Sequence, residues 1–200
     1  MIRNIIFDMG NVLLDYNPDA AMDLLHIREE ARTIIKQELF LGEEWKQGDL
    51  GYITNAERYD GVSKRVPEEY HKELRQVVDH WDVCMIPLPG AKEYVQYKKD
   101  EGYHLYVLSN ACAEFYHYFP RNYDMDLFDG IVVSSDLHIV KPDTRIYTYL
   151  LDTYHIQAEE SLFIDDVKVN VEAAVRLGIH GCVFCNSFQA VDDYIKNCND

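Results

Sequence analysis

The stretch "IIFDMGNVLLDY" (residues 5–16) begins as an apolar run, stops on the carboxylate of Asp8, places Gly10 two residues later, and turns apolar again at Val12, Leu13 and Leu14. A short run that is apolar at successive positions fits a strand buried on both faces, as in parallel sheets. Residues 2–8 are therefore read as a strand that ends on a carboxylate. Four more segments share the character: 103–109 "YHLYVLS", 130–134 "GIVVS", 161–166 "SLFIDD" and 179–184 "IHGCVF". Helical patterns lie between them, at 89–100, 144–155 and 168–178, with Gly102 and Gly178 as stop signals. Alternating strands and helices predict an α/β fold, a doubly wound parallel sheet of Rossmann-like type.

Residues 17–84 break the alternation, since they carry no convincing strand. Asn17 reads as an N-cap with Pro18 at the first helical position. Thr54 and Glu57 have capping-box spacing, and residues 66–81 read as one amphipathic helix. The segment is either a separate helical domain or an insertion. An isolated strand at 2–8 cannot form a domain, so an insertion is expected: an α/β core from 1–16 and 85–200, interrupted by an all-helical cap at 17–84. The aromatic residues Trp45, Tyr52, Tyr59 and Trp81 are expected mainly as packing for this cap, and Asp15 and Tyr16 as part of its hinge.

The 200 residues, 48% of them hydrophobic, suffice for one α/β core with a modest insertion. No apolar run approaches the roughly 20 residues of a membrane span. The net charge of −16 argues against nucleic acid as a partner. It also requires any site for an anion to gather cations locally, against an unfavourable overall field. Five cysteines, at 84, 112, 182, 185 and 198, have no disulfide-framework spacing. They read as free buried thiols of a reducing compartment, which places the protein in the cytoplasm. The lone CxxC at 182–185 is expected on a strand, its two thiols on opposite faces.

The polar residues that close the strands are more informative. Asp8 closes the first, Ser109 and Asn110 the second, and Asp165 and Asp166 the fourth. Lys141 lies in the connection after the third. In open α/β sheets, ligands bind beyond the carboxyl ends of the strands. Taken singly, Asp8 could form a turn, Ser109 or Asn110 could cap a helix starting near residue 111, and Lys141 could be an exposed loop lysine. Adjacent acids at a strand end are harder to dismiss, because they repel each other and a cation is the common remedy.

Four motifs, "FDMGNVL" (7–13), "LSN" (108–110), "KP" (141–142) and "FIDD" (163–166), occur in the order found in the haloacid dehalogenase-like superfamily, which the chain resembles. The form "FDMGNV" and the segment "GDLGYITNAE" (48–57) most resemble the branch of bacterial α-D-glucose-1-phosphate phosphatases. The resemblance implies a Mg²⁺-dependent phosphatase of small phosphorylated metabolites, sugar phosphates first among them. Asp8 would be the nucleophile that forms an aspartyl-phosphate. Asp8, the Gly10 carbonyl and Asp166 would ligate Mg²⁺, with Asp165 direct or through water. Ser109, Asn110 and Lys141 would bind the phosphate, helped by backbone N–H groups at the start of the following helix. The partner is a small-molecule phosphate ester, with no nucleic acid and no membrane, and a monomer is compatible with this.

One position departs from the pattern. Phosphatases of this superfamily usually have an aspartate two residues after the nucleophile, as general acid and base. Here it is Gly10, which taken alone reads as a turn residue of positive φ. A general acid typically contributes about 10²–10⁴ in rate. Two other readings stay open: a metal-independent 2-haloacid dehalogenase, whose halide leaving group needs no proton, and a catalytically weak binding or regulatory module.

Overall fold

A computed structural model describes residues 1–199. It contains five parallel strands, β1 (Asn4–Phe7), β2 (His104–Ser109), β3 (Gly130–Val133), β4 (Ser161–Asp165) and β5 (His180–Val183), in the order β3-β2-β1-β4-β5. The chain starts in the middle at β1, builds outward through β2 and β3, then crosses to the other side of β1 for β4 and β5. The reversal puts a crevice at the carboxyl ends of β1 and its neighbours.

The near-continuous apolar runs are explained by layering on both faces. Ile5, Phe7, Leu105, Val107, Leu162 and Ile164 belong to one buried cluster, whereas Ile6, Tyr106, Leu108 and Phe163 belong to another. Successive side chains thus feed opposite faces, the two-residue period of a strand. Each such buried side chain contributes roughly 1.5–3 kcal/mol relative to exposure. β5 departs from the expectation of burial on both faces. As an edge strand it is half-buried, and Val183 is exposed. The helix Lys168–Arg176 lies so close that a Cβ on Gly181 would fall 2.5 Å from a Val171 methyl. The strand also ends before Cys185, so the CxxC does not lie on one strand. All five cysteines are free, with Cys84 and Cys112 buried and Cys185 exposed.

Residues 17–84 hold helices and, among the described residues, no strand. The Asn17 side chain accepts from the Ala20 N–H, with Pro18 opening the helix Pro18–Leu24. Thr54 and Glu57 form the reciprocal capping box of the helix Asn55–Val62. The expected single helix over 66–81 is instead a 3₁₀ turn at Glu68–Tyr70, an α-helix over His71–His80 and a second 3₁₀ turn at Trp81–Cys84. The two strands of chain that lead into and out of this helical segment are joined: Asp15 N–H donates to the Ile86 carbonyl (2.8 Å) and Leu88 N–H to that of Leu13 (3.0 Å).

One loop of the helical segment docks on the sheet's carboxyl edge. The Ser134 hydroxyl donates to the Asp49 carbonyl (2.6 Å), and His138 Nδ1 donates to that of Leu50 (2.6 Å). Gly51 has φ +69°, and a Cβ there would sit 2.2 Å from the Ser135 carbonyl oxygen. Only glycine allows this approach. No helix among the described residues is long and apolar enough to cross a membrane.

Candidate active site

β1, β2 and β4 deliver their terminal residues to one edge. Asp8 Oδ1 accepts from Lys141 Nζ (2.7 Å) and from the Met9 N–H (2.7 Å). Lys141 Nζ also donates to Asp165 Oδ2 (2.7 Å), so one buried ammonium bridges the ends of two adjacent strands. Asp165 is fully buried and has both oxygens engaged. Oδ1 accepts the Val167 N–H (2.7 Å), and the Asn170 amide reaches Oδ1 (3.2 Å) and Oδ2 (3.1 Å). Asp166 is half-buried and faces the cavity, where its Oδ2 accepts from Asn11 Nδ2 (3.1 Å).

The expected site residues are thus brought together with specific differences. Asn110, expected to bind phosphate, lines the cavity, but its amide is committed to the backbone of Lys141. Lys141 N–H donates to Asn110 Oδ1 (2.7 Å), and Asn110 Nδ2 donates to the Lys141 carbonyl (3.0 Å). Its geometry positions Lys141. No helix starts near residue 111 to present N–H groups to an anion. The next helix, Phe115–Tyr118, is a single turn, and the Ala111 N–H is taken by Ser134 Oγ (3.0 Å). Ser109 closes β2, and its buried hydroxyl has no partner among the described residues, so it is a donor with capacity to spare. Gly10 does not adopt a positive φ; Asn11 does, at 55°. A Cβ on Gly10 would meet nothing nearer than Tyr16 Cβ at 3.7 Å, so the missing aspartate is not excluded by space. Asn11 and Asn170 were not singled out in the sequence. Their only signal is position: Asn11 directly follows "FDMG", and Asn170 lies four residues after "FIDD".

Burial pushes Asp8 up to about 7; the Lys141 charge opposes this and Asp165 adds to it. Burial alone would lower Lys141, but Asp8 and Asp165 outweigh it and raise the ammonium above its ordinary value. Asp166 is raised by burial, with the Asn11 hydrogen bond opposing. Asp8, Asp165 and Asp166 each offer an oxygen within 4.8 Å of the others. Three carboxylates thus face one ammonium, and all donors are hard oxygens. That set fits a small divalent cation such as Mg²⁺.

A cavity of about 200 Å³ opens above this cluster. Its floor is Asp8, Gly10, Lys141 and Asp166. The helical segment adds Trp45, Asp49 and Trp81 to the lining, which Tyr16, Met85 and Tyr118 complete. The rings form one packed group: Trp45 and Trp81 have centroids 4.9 Å apart, and Tyr118 lies 5.5 Å from Trp81. Trp45 and Trp81 therefore serve both as packing and as cavity wall, whereas Tyr52 stacks on His138 outside it.

Residues 5–184 match the sequence profile described as haloacid dehalogenase-like hydrolase. Among curated proteins, a sesquiterpene phosphatase from Aspergillus oryzae is 30% identical over 180 residues, covering 88% of this chain and 86% of the relative. A D-ribitol-5-phosphate phosphatase from Bacteroides thetaiotaomicron is 25% identical, with 89% of each chain covered. Among solved structures, a HAD family enzyme from Bacteroides thetaiotaomicron, in complex with magnesium and inorganic phosphate, superposes with a TM-score of 0.77. It is 22% identical over 96% of this chain and 99% of that one, a likeness of fold.

Proposed function

The chain belongs to the haloacid dehalogenase-like hydrolase family, and from that premise we propose that it is a Mg²⁺-dependent phosphatase working through an aspartyl-phosphate on Asp8. That it is a hydrolase of phosphatase type rests on the family and on the phosphatases among its relatives. The observation that carries the mechanism is the buried ammonium of Lys141 held 2.7 Å from both Asp8 and Asp165, with the Asp166 carboxylate, bonded by Asn11 through one oxygen, lining the same cavity.

Asp8, the Gly10 carbonyl and Asp166 would hold the ion. Asp165 has both oxygens engaged by protein donors, so it supports the site from behind, through Lys141 or water. Bound Mg²⁺ would supply charge neutralisation for the phosphate. The Asp8 carboxylate attacks phosphorus from the sheet edge, Lys141 offsets charge shared between carboxylate and phosphate, and Ser109 has a hydroxyl to donate. Phosphoryl transfer asks chiefly for this positioning and neutralisation. Residues 17–84 act as a cap that closes over the cavity and excludes water, hinged at the paired stretches 13–15 and 86–88. The setting is the cytoplasm.

Two substrate classes have support. Sugar phosphates follow from the "FDMGNV" form and from the D-ribitol-5-phosphate phosphatase. An apolar alkyl or isoprenoid monophosphate is favoured by the wall of Trp45, Trp81, Met85 and Tyr118, and by the sesquiterpene phosphatase. The dehalogenase reading leaves the cation-sized carboxylate cluster unexplained.

The test is hydrolysis of p-nitrophenyl phosphate, sugar phosphates and a prenyl monophosphate, with and without Mg²⁺. Turnover that needs Mg²⁺ and is lost in Asp8→Asn is expected. Halide release from a 2-haloacid without metal would establish the dehalogenase instead, and Mg²⁺ binding without any turnover would establish the weak module. Cap closure makes a separate prediction. Gly51→Ala is expected to lift the 49–51 loop off Ser135 and to lower kcat/KM by about 10²-fold, the scale of an ångström-sized misplacement. Melting temperature and kcat/KM measured side by side separate this from unfolding.

A further inference from the structure

We propose that Asp49, presented by the cap, is the general acid and base that the core lacks at Gly10. The proposal rests on the phosphatase reading above. A departing alkoxide needs a proton, and the water that clears the aspartyl-phosphate needs a base. Gly10 supplies neither. Among the titratable side chains of the cavity wall, Asp8, Asp166 and Lys141 are already committed. Burial drives the Tyr16 and Tyr118 hydroxyls upward and the Cys112 thiol up to about 12, so none of these exchanges protons readily near neutrality. Asp49 remains.

Its placement suits the task. Asp49 ends the helix Glu43–Asp49 and lines the same cavity as Asp8, in the part that the helical segment supplies. In an in-line displacement the leaving oxygen departs on the side of phosphorus opposite the nucleophile, which here is the cap side. The Asp49 carboxylate makes no hydrogen bond or ion pair among the described residues, so its oxygens are free for a substrate. Its backbone, by contrast, is tied to the phosphate end by a short relay. Ser134 Oγ donates to the Asp49 carbonyl and accepts the Ala111 N–H, and the adjacent Asn110 clasps the backbone of Lys141. Gly51 against Ser135 and His138 against Leu50 hold the same loop.

The charged and titratable groups around Asp49 are Arg58, Glu114, Tyr16, Cys112 and Tyr118. Burial pushes its carboxyl up to about 7, with Arg58 opposing and Glu114 adding. Arg58 is itself buried, stacks over Trp45 at 4.8 Å and makes no ion pair among the described residues. Gly48 leaves it room, since a Cβ there would fall 1.9 Å from Arg58 Nη2.

The two steps balance. Asp8 Oδ forms a bond to phosphorus as the bond from phosphorus to the ester oxygen breaks; the electron pair goes to that oxygen, which takes the Asp49 proton and leaves as an alcohol. A water oxygen then bonds to phosphorus and gives a proton to the Asp49 carboxylate, while the pair of the breaking P–O bond returns to Asp8 and inorganic phosphate departs.

The experiment compares Asp49→Asn with wild type on p-nitrophenyl phosphate, whose acidic leaving group needs little protonation, and on alkyl phosphates. For alkyl phosphates kcat/KM is expected to fall about 10²–10⁴-fold, and the loss on p-nitrophenyl phosphate to be at least about tenfold smaller. The acid must carry its proton, so wild-type kcat/KM on alkyl phosphates falls as pH rises through about 7, and this limb disappears in Asp49→Asn. Adding Gly10→Asp to Asp49→Asn is expected to restore alkyl phosphate turnover. Melting at pH 8 checks the fold; because burial raises the carboxyl, the asparagine variant should melt no lower than wild type. An equal loss on both substrate types, an unchanged alkaline limb, or a wild type that cleaves p-nitrophenyl phosphate but no alkyl phosphate would overturn the proposal. A wild type inert towards every phosphate ester, Mg²⁺ present, would overturn the phosphatase reading itself.

Discussion

Lys141→Met is expected to lower stability by about 3–5 kcal/mol, the scale for breaking a buried ion pair from one side, and to remove measurable turnover. Its ammonium is nearly sealed from solvent and lies 2.7 Å from Asp8 and from Asp165, which is fully buried. Methionine keeps most of the side-chain volume, so the loss comes from two carboxylates left facing each other without their shared cation. Asn170 and the Val167 N–H still serve Asp165, but the Met9 N–H becomes the remaining protein donor to Asp8. Urea denaturation of both proteins in Mg²⁺-free buffer measures the difference, and a change below about 1 kcal/mol, the scale of an exposed pair, would mean that the bridge is hydrated in solution.

Asp8→Asn is expected to do the opposite to stability while being at least as damaging to activity. An asparagine oxygen still accepts from Lys141 and from the Met9 N–H, and the substitution removes a like charge beside Asp165. Melting temperature in Mg²⁺-free buffer should therefore hold or rise. Turnover should fall by about 10⁴-fold or more, as when a covalent nucleophile is removed. Together the two variants separate the roles, because one loses fold and function together and the other function alone.

Much of this was legible in the chain because parallel strands buried on both faces write their pattern continuously. β1, β2 and β4 each end within about a residue of the expected position, and the residues closing them converge. β5 was misread as buried because its apolar content resembles that of the inner strands, and only the strand order reveals an edge. The local alternative for Ser109 and Asn110, a helix cap, does not form, and Asn110 instead finds its partner 31 residues away, in the backbone of Lys141. A side chain that satisfies a distant loop cannot be told locally from one that caps its own helix. Gly10 looked like a turn residue, yet the left-handed residue is Asn11, next to it. Asp49 was invisible for a different reason. It lies within the "GDLGYITNAE" segment, where nothing local assigns it a role, and only the docking of the 49–51 loop onto Ser134–His138 brings it to the cavity.

The central claim is that phosphate passes through a covalent bond to Asp8. Rapid quenching of the Mg²⁺-loaded enzyme with substrate carrying a ³²P-labelled phosphoryl group tests it directly. The account predicts label on the wild-type protein within the first turnover, discharged by hydroxylamine as an acyl phosphate is, and none on Asp8→Asn. Turnover by the wild type with no label at any quench time, or equal label on Asp8→Asn, would contradict it.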